Sequence, residues 1–292
     1  MNNFNVLNRF FSKSMLLKAI ENNQNSCFGE LVKRYSLDET LTNQELISSI
    51  YSIMGNSYRN EYFYKNTLLN NLIVKKHKLN STKVITELPI GKSIADFITI
   101  NGKAVVYEIK TELDNLERIE TQIQDYYKCF PYVCIVTCEK HLKKVKNLFI
   151  STSVGIYSFS SNNSIKVIKE PVANFSQLDY STMFKVLRKY EFEEVLTRCS
   201  KTLPQTTQFE YYRQCLNLFK SIDLKELYAK MLIVLKQRCV IEIEEFDKVP
   251  LELKMLVYQT QLTTNQYKAL FEFLHTDYLK GGCSNVFPVF EG

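Results

Sequence analysis

Apolar residues recur at helical spacing from the first residue to about residue 78. Phe4, Leu7, Phe10 and Phe11 open the pattern, and the stretch YRNEYFYKNTLLNNLIVKKHK closes it. Projected at 3.6 residues per turn, Glu61, Leu68 and Leu72 fall on one face with Lys65 beside them, so a carboxylate heads an apolar stripe. The period then changes to two. Residues 82–89, 93–100 and 103–110 each alternate as a strand, and Asn101-Gly102 between the last two is a strong hairpin signal. The three together predict an antiparallel meander.

Asp114 followed by Glu117 reads as a capping signal for a helix whose apolar stripe is Leu116, Ile119, Ile123, Tyr126 and Phe130, stopped by Pro131. YVCIVT, at 132–137, is a short apolar run of the kind buried on both faces, and a crossover helix before it suits a parallel neighbour. Residues 139–149 predict another helix and 154–159 a last strand. Beyond SSNNS at 160–164 the character changes. From about 176 to 278 the period is helical, with breaks at 202–205, 221–223 and 260–264, and GGCSNVFPVFEG reads as an irregular tail. The expected organisation is a helical segment over 1–57, an α/β core over 58–165 and an all-helical region over 166–292.

Charge changes this picture at one place. Asp96, Glu108 and Lys110 lie within otherwise apolar strands, where ionised groups cost free energy unless paired, solvated or metal-bound. Val106, Glu108 and Lys110 share a face because strand side chains alternate. A two-residue Asn-Gly loop would pair 100 with 103 and put Asp96 on the opposite face. A three-residue loop, with Gly102 in the left-handed position of a bulge, would pair 99 with 103 and bring Asp96 to the same face. The second arrangement is expected, since it gives the charges one another as partners. Two carboxylates can hold a hard divalent cation such as Mg2+, and a neighbouring lysine can position or activate water for attack on a phosphate.

Composition is that of an ordinary globular chain: 292 residues, 45% hydrophobic and 23% charged, with eight glycines and six prolines. The formal charge of +6 leans toward a polyanionic partner without deciding for one. Basic clusters stand at Lys75–78, in KHLKKVK at 140–146, which holds Lys143 and Lys144, and around Lys185, Arg188 and Lys189. Eight cysteines show no CxxC pair and no histidine at zinc-finger spacing, so most are expected to be buried apolar residues. No run reaches the length of a membrane span, and no signal-peptide core is apparent. The expectation is a cytoplasmic protein with reduced thiols and no membrane partner.

Asp96, followed after eleven residues by Glu108-Ile109-Lys110 in a meander that leads to a helix and a strand, resembles the PD-(D/E)XK nuclease superfamily. The resemblance covers about 58–159. Gln122 and Tyr126 match the QxxxY pattern of its RecB-like branch, and YRNEY, SIADF, YEIK and RIETQIQDYY together are similar to bacterial and phage members. The resemblance implies a restriction-endonuclease-like fold, a mixed central sheet flanked by helices, and dependence on Mg2+ or Mn2+. It implies Asp96, Glu108 and the Ile109 carbonyl as metal ligands, joined by Glu61 from the first core helix. It also implies a catalytic role for Lys110 and Gln122. Substrate contacts are expected from Tyr126, Lys65, Lys143 and Lys144. Ala95 stands where the motif's name has proline, and the cysteines of iron–sulfur members are absent.

The expected function is a metal-dependent phosphodiesterase acting on nucleic acid, DNA before RNA, in defence against phage or in repair. The C-terminal helices would then contact substrate, a second copy or a partner protein. The alternatives are an RNA-directed nuclease and a non-catalytic binding module that keeps the fold.

Overall fold

The computed structural model of the chain describes residues 4–22, 26–74, 81–160 and 162–278. The backbone divides into two compact units, Met1–Val74 with Ile241–Gly292, and Lys75–Val240. These boundaries differ from the 57/58 and 165/166 divisions read from periodicity. Helical period is uniform through 176–278, but which neighbour each helix packs against is not written in the period.

The first unit opens with α1 (Asn5–Phe10), α2 (Lys13–Asn22), α3 (Ser26–Arg34), α4 (Asn43–Ser57) and α5 (Glu61–Leu69), the last running into a π-helical turn at Asn70–Val74. Thr42 and Glu45 form a capping box at the start of α4. The Asn60 side chain accepts from the N–H of Phe63 at 3.0 Å to start α5. Each such cap stabilises by about 1 kcal/mol, because it satisfies an amide that the helix itself leaves unpaired.

The second unit is built on a six-stranded mixed sheet in the order of the chain. Strands β1 (Lys83–Ile90), β2 (Ser93–Asn101) and β3 (Lys103–Lys110) form the expected antiparallel meander. Helix α6 (Ile119–Tyr127) crosses to β4 (Tyr132–Cys138), which is parallel to β3. Helix α7 (Glu139–Phe149) crosses to β5 (Gly155–Phe159), parallel to β4. Sequential crossovers of the usual hand leave both helices on one face. Accordingly Ile119, Ile123, Val145 and Phe149 share a buried cluster with Ile98, Val106, Val133 and Ile135. A sixth strand, β6 (Ile165–Lys169), closes the edge antiparallel to β5. It was not expected: IKVIK is short and half-exposed, and its pairing with β5 supplies what its pattern lacks.

Helices α8 (Tyr180–Val186), α9 (Lys189–Arg198), α10 (Gln208–Lys220) and α11 (Leu224–Leu235) continue this cluster through Phe184, Phe192, Phe219 and Met231. Each fully buried side chain of this kind contributes roughly 1.5–3 kcal/mol of transfer free energy. The Tyr228 hydroxyl on α11 accepts from the N–H of Ala104 in β3 at 3.3 Å. Thus the helices up to residue 240 belong with the sheet.

The chain then completes the first unit with α12 (Ile243–Lys248), α13 (Lys254–Thr260) and α14 (Thr264–His275). Asn66 on α5, fully buried, donates to the Leu251 carbonyl and accepts from the N–H of Met255, both at 2.9 Å. Among the described residues no helix is long and apolar enough to cross a membrane. The described cysteines are buried, apart from the half-buried Cys239. The Lys75–78 cluster and the GGCSNVFPVFEG tail lie outside the described residues.

Candidate functional site

The β2–β3 ladder pairs Phe97 with Tyr107, Ile98 with Val106, Ile100 with Ala104 and Asn101 with Lys103 around Gly102, which has φ of 69°. The turn therefore lies one residue further along than expected, over 101–103 instead of 100–102. Sliding a three-residue loop by one position moves each partner by two, so the faces are those the three-residue reading required. The next position brings Asp96 across from Glu108.

At that position the ladder on each side of Asp96 is interrupted. Toward β1 the pairs Thr86–Phe97 and Leu88–Ala95 flank a gap filled by Glu87, whose φ of 54° is left-handed. Toward β3 the backbone pairing ends at Phe97, and the Asp96 carboxylate replaces it, accepting from the N–H of Ile109 at 2.7 Å. In an extended strand the N–H and C=O of one residue point the same way. The Ile109 carbonyl therefore faces the Asp96 side.

Glu108 lies in mid-sheet at 1% exposure, opposite Ile135 of β4. Its Oε1 is 2.8 Å from the Lys110 Nζ, and its Oε2 is 2.5 Å from the Tyr126 hydroxyl. Lys110, 12% exposed, also donates to the Gln122 Oε1 at 3.0 Å. Gln122 and Tyr126 stand one turn apart on α6 and meet β3 together, as their spacing predicts. The structure thus brings Asp96, Glu108, Lys110, Gln122 and Tyr126 to one place.

Burial pushes the Glu108 carboxyl above its ordinary range, against the opposing pull of the Lys110 ammonium. Burial, followed by the charges of Glu108 and Asp96, raises the Tyr126 phenol. The Tyr126 hydroxyl has a single hydrogen but two oxygen neighbours, Glu108 Oε2 at 2.5 Å and the Ile94 carbonyl at 2.7 Å. Both are acceptors, so the hydroxyl's one hydrogen is shared between the Glu108 carboxyl and the Ile94 carbonyl.

Tyr126 was expected to touch substrate, but its ring is fully buried. Its hydroxyl bonds Glu108. Glu61 and Lys65 lie in the first unit, where they pair with each other at 2.5 Å. Lys143 and Lys144 are exposed on α7, and no described contact ties them to the carboxylates. Asp114 does not cap α6. It accepts from the Thr111 N–H and hydroxyl at 2.8 Å each, closing the turn after β3, and α6 begins later, at Ile119.

Asp125 was not anticipated. On the face of α6 next to Gln122 and Tyr126, it accepts from the Lys92 N–H at 3.1 Å, the Ser93 hydroxyl at 2.9 Å and the Lys128 ammonium at 2.7 Å. These bonds hold its carboxyl below its ordinary range against the effect of burial. It clamps the β1–β2 turn to the helix. Nothing in its local sequence marks it, since all but one of its partners are far away in the chain.

Among the described residues no three or more His, Cys, Asp or Glu side chains gather in a metal-binding group. The donor set at β2–β3 is two carboxylates and one carbonyl. All are oxygens, which suits a hard cation that fills its remaining positions with water, as Mg2+ does.

Protein cII of Enterobacteria phage P4 is 27% identical to this chain over 172 residues, covering 57% of the chain and 63% of that relative. The chain thus spans less than two thirds of the relative's length. No solved structure matches. The family described as bacteriophage P4 protein cII matches residues 54–273, a segment that holds every residue of the β2–β3–α6 site. On that match the chain belongs to the bacteriophage P4 protein cII family.

Proposed function

We propose that the protein is a nuclease that hydrolyses phosphodiester bonds with Mg2+ or Mn2+, acting on DNA in preference to RNA, on a restriction-endonuclease-like core. The observation that carries this reading is the convergence of Asp96, Glu108, Lys110 and Gln122 at an interruption of the sheet. Ionised and amide side chains in mid-strand cost free energy that an apolar strand would avoid. Their mutual placement has a chemical use.

Asp96, Glu108 and the Ile109 carbonyl would hold the cation, which when bound supplies Lewis-acid stabilisation of charge on the phosphate and a more acidic water. Glu108 would serve there as the carboxylate. Lys110, held by Glu108 and Gln122, keeps a third ammonium hydrogen for a phosphate oxygen or the attacking water. As a donor it offsets negative charge that grows as the water oxygen bonds to phosphorus and the leaving oxygen departs. Gln122 fixes the direction of that ammonium, and Tyr126 fixes Glu108.

A second reading is favoured by one observation: both Glu108 oxygens are already bonded within the protein. The pair could then be a structural element of a binding module. The two readings separate on cutting of labelled single-stranded and duplex DNA and RNA with Mg2+, Mn2+ or EDTA, beside Asp96→Asn and Lys110→Ala. Metal-dependent cutting lost in both folded variants supports the nuclease. Absence of cutting on every substrate, with nucleic-acid binding unchanged in the variants, supports the module.

A further inference from the structure

Two concave surfaces of the sheet-bearing unit meet along one short segment. The first, of about 600 Å3, lies between the β1–β2 turn, α6 and α8, and is lined by Lys92, Lys128, Lys185, Thr121, Gln124 and Thr182. The second, of about 490 Å3, lies between α9 and α10, with Lys189, Gln208, Tyr211 and Tyr212 on its walls. Val186, the last residue of α8, lines the first and Leu187 lines the second. The two are therefore neighbours at the Val186-Leu187 junction.

Their chemistry differs in a useful way. The first is basic: Lys92 and Lys185 are exposed and enter none of the described ion pairs, and its carboxylate, Asp125, is already bonded on both oxygens. The second is aromatic. Tyr212 is 47% exposed, with its ring set edge-on to Phe184, and Lys189 lies 5.2 Å from the centre of the Tyr211 ring. Beside Gln208, Phe209 is 96% exposed, and Tyr190 at the start of α9 is 55% exposed. A basic track followed by open aromatic rings is the pattern that takes a single-stranded polynucleotide, phosphates on the lysines and unpaired bases on the rings. A duplex hides its base faces and gains nothing from the rings. Helix α6 carries Gln122 and Tyr126 toward β3 and Thr121, Gln124 and Lys128 toward the basic surface, so one helix serves both.

We propose that this surface binds single-stranded nucleic acid, the backbone along Lys92, Lys128 and Lys185 and bases against Tyr212 and Phe209. It rests on the nucleic-acid reading of the neighbouring site and names the form of the substrate.

The test is fluorescence anisotropy of the full chain, in EDTA so that no cutting occurs. The probes are labelled oligothymidylate, oligouridylate, a duplex of equal length and an abasic strand. A single strand of DNA or RNA is expected to bind more tightly than the duplex, and the abasic strand more weakly than the oligothymidylate. Lys92→Ala with Lys185→Ala should lower the slope of log affinity against log salt by about 1.4, two phosphate contacts on a single strand. Phe209→Ala, at a residue too exposed to matter for folding, should weaken strand binding by about fivefold or more. Tyr212→Ala should do likewise, and Tyr212→Phe, which keeps the ring, should restore it.

Duplex binding equal to or tighter than strand binding overturns the proposal, as do wild-type affinities in the lysine and aromatic variants. Cutting with added Mg2+, measured in parallel, separates this proposal from the nuclease reading. Strand binding through these residues without cutting leaves this surface standing and removes the nuclease. Cutting that the groove variants do not diminish does the reverse.

Discussion

The Tyr126 hydroxyl on α6 lies 2.5 Å from the Oε2 of Glu108 in β3, and it lies 2.7 Å from the carbonyl of Ile94 in β2. One side chain thus ties the crossover helix to both strands that carry the candidate ligands. Tyr126→Phe keeps the buried ring and removes only this tie. We expect a loss of about 1–2 kcal/mol in urea unfolding, for a buried carboxyl left short of a partner. On the nuclease reading, kcat should fall with KM little changed, because the group acts through Glu108 and not on substrate. An equal rise in KM would speak for direct substrate contact.

Glu108 predicts a pH dependence of stability with a definite sign. Its folded pKa is raised above 4.5, so between 4.5 and that raised value the folded state binds more protons than the unfolded state. Stability then falls as pH rises through that window, and the contribution is intact below it. Glu108→Gln removes the titration. Urea unfolding across pH should show the wild type losing ground to the variant as pH rises, and a constant difference would contradict the raised pKa.

The same proton links to metal. If the cation displaces it from Glu108, binding releases a proton, and Mg2+ affinity should rise with pH until the raised pKa is passed. Isothermal titration calorimetry in buffers of different ionisation enthalpy counts that proton directly. Glu108→Gln should release none.

Asp96 has a structural task and a proposed chemical one, and two substitutions separate them. Its carboxylate accepts from the Ile109 N–H at 2.7 Å where the ladder stops. Asp96→Asn keeps an acceptor there and should leave unfolding within about 1 kcal/mol of wild type while abolishing metal-dependent cutting. Asp96→Ala leaves the amide unpaired and should cost about 1–3 kcal/mol as well. Equal stability of the alanine and asparagine variants would show that the bond carries no weight.

Gly91 is required by two independent constraints. Its φ is 62°, and a Cβ built on it would stand 2.7 Å from the Asp125 Oδ1. Gly91→Ala therefore meets a strained backbone and drives the carboxylate off the turn that it clamps. A destabilisation of about 1–3 kcal/mol is expected in urea unfolding. If Asp125→Ala is made first, the close contact is gone and the cost of Gly91→Ala should shrink.

Local signals carried the meander, both crossover helices and the pairing of faces at the site. Their strands and helices differ in period, and period is a property of neighbouring residues. Side-chain alternation alone put Glu108 and Lys110 together, and helical spacing put Gln122 with Tyr126. The sequence also required some turn that brings Asp96 to their face, since an unpartnered charge in mid-strand is costly. Tertiary structure decided the rest. It placed the turn at 101–103, paired the weakly patterned β6 with β5, and divided the helices after residue 176 between two units. It turned Asp114 from a helix cap into a turn cap, and it drew Asp125 onto Lys92 and Ser93 from more than thirty positions away. Each of these depends on which distant surface is available to bury an apolar face or satisfy a polar group, and periodicity holds no record of that choice.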